Sequence, residues 1–244
     1  MRIICNAFIH KVETTTRLGI GSSFVVLLGH HQHKQIAKSQ HSKILTGSGH
    51  PDDPNKRVIK YSPSHKELVD LIETNEDLLL ELFLTELIQH WFDYLADLYQ
   101  EIVKSCLRGE KKYKLSKVQP KIDFSELNNS NLERVIINAS VQSFNFQSAQ
   151  RKIDIIKDAL SVDLGYLNNE KNNIKKFIVV RNIFQHSLGY VRGDDLDMLG
   201  ISSIQLDDGQ SQKCFNAGDR LKLSAFDMET CADSLIAIAK ALVI

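Results

Sequence analysis

From residue 64 onward, apolar side chains recur every three or four positions, the period of a helix that buries one face. Ser64 followed by Glu67 forms a capping-box pattern and predicts a helix start. That helix carries Leu68, Leu71 and Ile72 and breaks near Thr74-Asn75. A longer helix then places Leu80, Leu84, Leu87, Trp91, Leu95, Leu98, Ile102 and Cys106 along one stripe. Leu79, Phe83, Phe92 and Tyr99 widen the stripe, which suits the middle of a bundle or a subunit interface. Ser130 with Glu133 predicts the next helix, through Val135, Ile136 and Ile137, and residues 148–160 predict another. Asp163-Leu164-Gly165 and Asn168-Asn169 break the pattern before a further helix around residues 174–188. After a loop at Arg192-Gly193-Asp194-Asp195, strands are predicted at 201–206 and 212–215. Asp207-Asp208-Gly209-Gln210 joins them as a hairpin, and 221–223 adds a short strand. Ser224 and Asp227 cap a last helix whose Cys231, Leu235, Ile238 and Leu242 form a closing stripe. The expected fold class is therefore all-α, a helical bundle with a small β-hairpin before the C-terminal helix.

Residues 1–60 carry a weaker pattern and divide from 61–244 as an N-terminal extension without a readable role. Phe24-Val25-Val26-Leu27-Leu28 fits the middle of a helix or a buried strand, and periodicity does not choose between them. His30, His31, His33, His41 and His50 surround it, ahead of a Gly/Pro-rich loop. Imidazole is the commonest zinc ligand, but no regular spacing or partner completes a tetrahedral set, so a solvated His-rich loop is expected instead of a metal site.

Composition narrows the class further. Thirty Lys and Arg balance thirty Asp and Glu, which argues against sequence-independent nucleic-acid binding over the whole surface and leaves room for a local basic track. Such a track lies between 104 and 121, where Lys104, Arg108, Lys111, Lys112, Lys114, Lys117 and Lys121 face only Glu110. Lys111, Lys112 and Lys114, around Tyr113, are the candidate RNA-backbone contacts, with a solvated inter-helix loop as the plainer reading. The four cysteines are far apart and read as separate reduced thiols. No apolar run reaches the ~20 residues of a membrane span, and the first residues do not resemble a signal peptide, so the expected location is cytoplasmic.

The chain's chemistry concentrates in Lys175-Lys176-Phe177-Ile178-Val179-Val180-Arg181-Asn182-Ile183-Phe184-Gln185-His186-Ser187-Leu188-Gly189. On a helix, Phe177, Ile178, Phe184 and Leu188 cluster on one side and Arg181 falls among them. A guanidinium there stays charged, so either a carboxylate meets it or the face opens onto an anion. His186 follows within the last turn before Gly189, a helix stop. Arg181-Asn182-Ile183-Phe184-Gln185-His186 resembles the Arg-x(4–6)-His motif of HEPN domains, in the form with Asn after the Arg. The resemblance covers residues 61–244.

HEPN domains are small helical bundles, and many are metal-independent endoribonucleases of toxin–antitoxin, CRISPR and anti-phage systems. The resemblance therefore implies an RNA-cleaving enzyme with no cofactor or metal, Arg181, His186 and Asn182 as its catalytic residues, and a possible antitoxin protein as partner. It also implies a homodimer, because in HEPN enzymes two motif helices meet at a twofold axis and share a cleft. The chemistry fits the residues. RNA carries its own nucleophile, the 2′-hydroxyl, so cleavage needs a base, a cation for the phosphorane and a proton for the leaving oxygen. Histidine transfers protons near neutral pH, and arginine binds phosphate oxygens in a planar fork. Arg181 and His186 are about 140° apart on an ideal helix, which is a difficulty for a site within one chain.

Two rival readings remain open: a non-catalytic HEPN-like domain that binds RNA or protein, with Arg181 as a structural ion pair, and a helical interaction protein outside the family. Of Glu86 and His90, one turn apart, one is an accessory acid or a partner for Arg181, or the two are an ordinary solvated pair. No P-loop, Rossmann fingerprint, Gly-x-Ser-x-Gly or His-Glu-x-x-His pattern occurs.

Overall fold

A computed structural model describes residues 1–37, 46–50, 53–61, 64–74, 78–115, 120–121 and 132–243. Among these residues the protein is mostly helical. The helices are α1 (Arg2–Ala37), α2 (His65–Thr74), α3 (Leu78–Leu107), α4 (Leu132–Asn145), α5 (Ala149–Leu160), α6 (Asn168–Ser187), α7 (Gly193–Leu199) and α8 (Ala225–Ala241). Two antiparallel hairpins accompany them: β1 (Thr46–His50) with β2 (Asp53–Tyr61), and β3 (Ile204–Asp207) with β4 (Gln212–Phe215).

The broad apolar stripe of α3 puts it at the centre, packed against α1, α4, α5, α6 and α8. Leu84, Leu87, Ile88, Trp91, Leu95, Leu98 and Ile102 are fully buried along it. Each such side chain contributes about 1.5–3 kcal/mol when removed from water. Tyr99 stacks on Phe144 of α4 at 4.4 Å, and the Tyr94 hydroxyl donates to the Ala239 carbonyl of α8 at 3.0 Å. The closing stripe of α8, Cys231, Leu235, Ile238 and Leu242, is buried as its spacing predicted.

The N-terminal region is more than an extension. It opens with α1, a helix of 36 residues, and Cys5, Phe8 and Val12 lie in the same core as α3, α6 and α8. The division expected at residue 60 therefore does not coincide with a break in the core. At Gly19 the helices come so close that an added Cβ would lie 2.9 Å from the Phe83 side chain. Phe24-Val25-Val26-Leu27-Leu28 is the middle of this helix, and Phe24, Val25, Leu27 and Leu28 are exposed. Of the histidines beyond it, His33 meets His65 of α2 at 2.7 Å between Nδ1 atoms, and His30 lies 3.2 Å from Glu73. Among the described residues no three of His, Cys, Asp and Glu come close enough to share a metal ion. His41 lies outside the described residues, and for His50 only its backbone place in β1 is described.

Local signals set most of the helix ends. The Ser64–Glu67 box forms in both directions, Ser148 caps α5 through the Arg151 amide, and the Ser224–Asp227 box opens α8. Ser130, read as the cap of α4, lies outside the described residues. The segment read as a loop at Arg192-Gly193-Asp194-Asp195 instead starts α7. The Arg192 side chain forks onto buried Asp195, whose carboxylate also accepts the Arg192 amide. The hairpin of β3 and β4 pairs Ile204 with Phe215 and Asp207 with Gln212; the second strand falls at 212–215 as predicted, whereas the first, expected at 201–206, is shorter and extends into the predicted turn at Asp207. The strand expected at 221–223 does not form; an isolated bridge pairs Tyr190 with Arg220 just before it. No described helix is long and apolar enough to cross a membrane.

Candidate functional site

The site is built on α6 and on the way that helix ends. Ile174, Phe177, Val180, Ile183 and Phe184 bury one side of it against α3 and α8. Lys176 crosses from α6 to the hairpin, donating to the Gln205 carbonyl at 3.1 Å and lying 4.8 Å from the centre of the Phe177 ring. The helix stops after Ser187. Leu188 takes a left-handed conformation at φ 52°, Gly189 follows at φ 84°, and the Gly189 amide turns back to the Ile183 carbonyl at 3.2 Å. Hydrogen bonds from the Val191 amide to the Asp219 carbonyl and from the Leu221 amide to the Gly189 carbonyl then pin the exit to the segment before α8. Leu188, expected on the buried face, is 81% exposed because the chain leaves the helix there.

Arg181 sits half-buried on the shoulder of the apolar face. Its Nη1 donates to Oδ1 of Asn182 at 3.0 Å, and its Nε is buried with no hydrogen-bond partner. Among the described residues no carboxylate pairs with it. Burial alone lowers its pKa, and at neutral pH it remains a cation. The ion-pair account of this arginine required such a carboxylate.

Asn182 resolves part of the geometric difficulty. It lies about 100° around the helix from Arg181 and about 40° from His186, one turn further on. By bending its guanidinium onto Asn182, Arg181 carries its charge from the apolar face toward the side on which exposed His186 stands. Lys171, Lys175, Asn182 and His186 follow at spacings of four, seven and four. They form one stripe about 22 Å long on the outer side of α6. Lys171 and Lys175 have no ion-pair partner among the described residues.

Beside this stripe lies a cavity of about 270 Å³ between α6 and the first turns of α5. Ile153, Ile174, Ile178, Val179 and Met198 of α7 make its walls, Ser148, Gln150 and Asn182 supply polar groups, and Lys171 and Lys175 border it. Lys171 and the cavity escaped the sequence reading, and Lys175 entered it only as the first residue of the motif segment, although the Lys171-Lys175-Ile178-Asn182 spacing is visible once α6 is extended back to residue 168.

The other predicted residues stand apart from this site. Lys111, Lys112 and Lys114 are exposed on the chain that follows α3. Lys114 borders a hollow with Lys157, Asp158, Ser161 and Val162 at the C-terminal end of α5, whereas the α6 cavity adjoins its N-terminal end. Glu86 does lie 3.5 Å from His90, but His90 faces Thr15 of α1 at 3.2 Å, so this pair is a link between α1 and α3 and not a partner of Arg181.

Compared with protein-family models, with curated proteins and with solved structures, the chain matches none.

Proposed function

We propose that the protein is an endoribonuclease of the HEPN type, acting on single-stranded RNA through the 2′-hydroxyl and without a metal. One observation carries this reading: Arg181, a half-buried cation with no carboxylate partner among the described residues, is held by Asn182 on the helix side that presents His186. A structural arginine so placed gains no charge partner in return for its desolvation. A phosphate that it meets from outside supplies one.

In this reading His186 takes the proton of the 2′-hydroxyl, whose oxygen attacks the adjacent phosphorus. The guanidinium of Arg181 neutralises charge on the phosphorane oxygens, and Asn182 holds the guanidinium in register. Departure of the 5′-oxygen leaves a 2′,3′-cyclic phosphate and a free 5′-hydroxyl. The leaving oxygen needs an acid, and each chain has one histidine on this face. A second copy of the chain, joined across a twofold axis, supplies another His186. This agrees with the homodimer that the HEPN resemblance implies, and with a toxin-like or anti-phage role restrained by an antitoxin protein. Lys111, Lys112 and Lys114 are further contacts to the RNA backbone.

The test is cleavage of single-stranded RNA by purified protein in EDTA, with product ends determined. Cyclic phosphate ends formed by the wild-type chain and absent with His186→Ala support the reading. Activity that chelation abolishes and a divalent ion restores refutes the mechanism. Binding without cleavage assigns the chain to the non-catalytic alternative.

A further inference from the structure

We infer that the cavity between α5 and α6 is a nucleobase subsite, holding one unstacked base of the RNA whose phosphates run along the Lys171–His186 stripe. The inference rests on the proposed ribonuclease activity and names the part of the substrate that the phosphate-directed groups leave unread.

Three observations carry it. The cavity is flanked by cations that have no ion-pair partner among the described residues: Lys171 and Lys175 border it, and Arg181 reaches its Asn182 wall. An occupant that satisfies those charges is an anion attached to an apolar body. Its size is the second constraint. At about 270 Å³ it lies just below the ~300–1,000 Å³ range of small-molecule sites, enough for one planar heterocycle. Third, the walls are aliphatic, yet amides stand among them. Gln150 and Asn182 each carry groups able to meet the hydrogen-bonding edge of a base. One donor of Gln150 is held by Asp154 at 3.1 Å, which leaves its carbonyl oxygen free to accept. Single-stranded RNA is read this way, by bases splayed out into pockets while phosphates meet cations. Asn182 belongs to both the cavity and the Arg181 bond, so an occupied cavity also fixes the guanidinium. Base binding and phosphate positioning are thereby coupled through one side chain.

Two fluorescent tetranucleotides separate this proposal from its foundation. One bears 2′-O-methyl riboses, which lack the nucleophile and are not cleaved; the other has the same sugars and phosphates with the bases removed. The wild-type protein should bind the base-bearing strand about tenfold more tightly than the abasic one. Ala149→Leu, which fills the cavity, and Met198→Ala, which removes an exposed wall on α7, should each erase that difference and leave the abasic affinity unchanged. Arg181→Ala should weaken both strands. Equal binding of the two strands by wild type, or a difference that survives in both variants, overturns the base subsite while the phosphate site stands. Failure of wild type to bind either strand overturns both readings. Met198→Ala changes an exposed side chain and keeps the test valid even where Ala149→Leu fails to fold.

Discussion

Nη1 of Arg181 donates to Oδ1 of Asn182 across 3.0 Å, a bond between neighbours in the chain that turns a buried-side arginine toward an exposed histidine one turn away. Its energetic consequence differs from that of an ion pair. Removing one partner of a buried ion pair typically costs about 3–5 kcal/mol because the other charge is left behind. Arg181 leaves no described carboxylate behind, so Arg181→Ala should change stability by no more than about 1 kcal/mol while abolishing cleavage. Chemical denaturation and an RNA-cleavage assay on the same preparation check both halves. A loss of several kcal/mol would mean that an acidic partner exists.

Asn182→Asp makes the opposite prediction for the two properties. A carboxylate at this position would pair with the guanidinium, satisfy part of its desolvation cost and compete with phosphate. The variant should melt at a higher temperature than wild type and cleave RNA at least tenfold more slowly. Asn182→Ala should also cleave slowly but without the gain in melting temperature.

Mixed dimers test the shared cleft. Arg181→Ala and His186→Ala chains should each be inactive alone. If the groups act across a twofold axis, their heterodimer keeps one intact Arg181 and one intact His186, and mixing should restore part of the cleavage. Heterodimers seen by native mass spectrometry without any activity would rule out a two-chain site that works with a single Arg181 and a single His186.

Lys152 gives a pH dependence with a defined sign. The residue is buried, and its ammonium lies 4.6 Å from the Phe92 ring centre and 6.0 Å from that of Phe144. Burial lowers its pKa below the ordinary lysine value of 10.5. Between the folded and unfolded values the unfolded chain binds more protons, so this group makes stability rise with pH through that interval. Lys152→Met should be neutral or up to about 1 kcal/mol more stable at pH 7 and should lack this alkaline rise. Paired urea titrations of the two proteins at pH 7 and in the alkaline range give the difference.

The end of α6 depends on one glycine. Gly189 has φ 84°, and an added Cβ would lie 3.2 Å from Cε1 of Phe184. Gly189→Ala should therefore destabilise the protein by about 1–2 kcal/mol and loosen the turn after His186. Equal stability of the variant in urea would show that the turn tolerates a side chain.

Much of the helical scaffold was legible because its signals are local. The α3 stripe, the Ser64–Glu67 and Ser224–Asp227 boxes and the Asp-Gly turn each depend on residues within a few positions of one another. Where a side chain's role depends on distant partners, the sequence was silent. Phe24 to Leu28 had the composition of a core segment, but α1 turns only part of its surface to α3, and four of those five side chains are exposed. Asp195 looked like a loop residue until its burial beneath Arg192 made it a helix cap. Arg181 shows the division most clearly. Periodicity alone placed a cation on an apolar face and required an anion for it, because an arginine cannot shed its charge. Only tertiary structure decided that no described carboxylate reaches it, since that depends on which helices pack beside α6 and which side chains they bring.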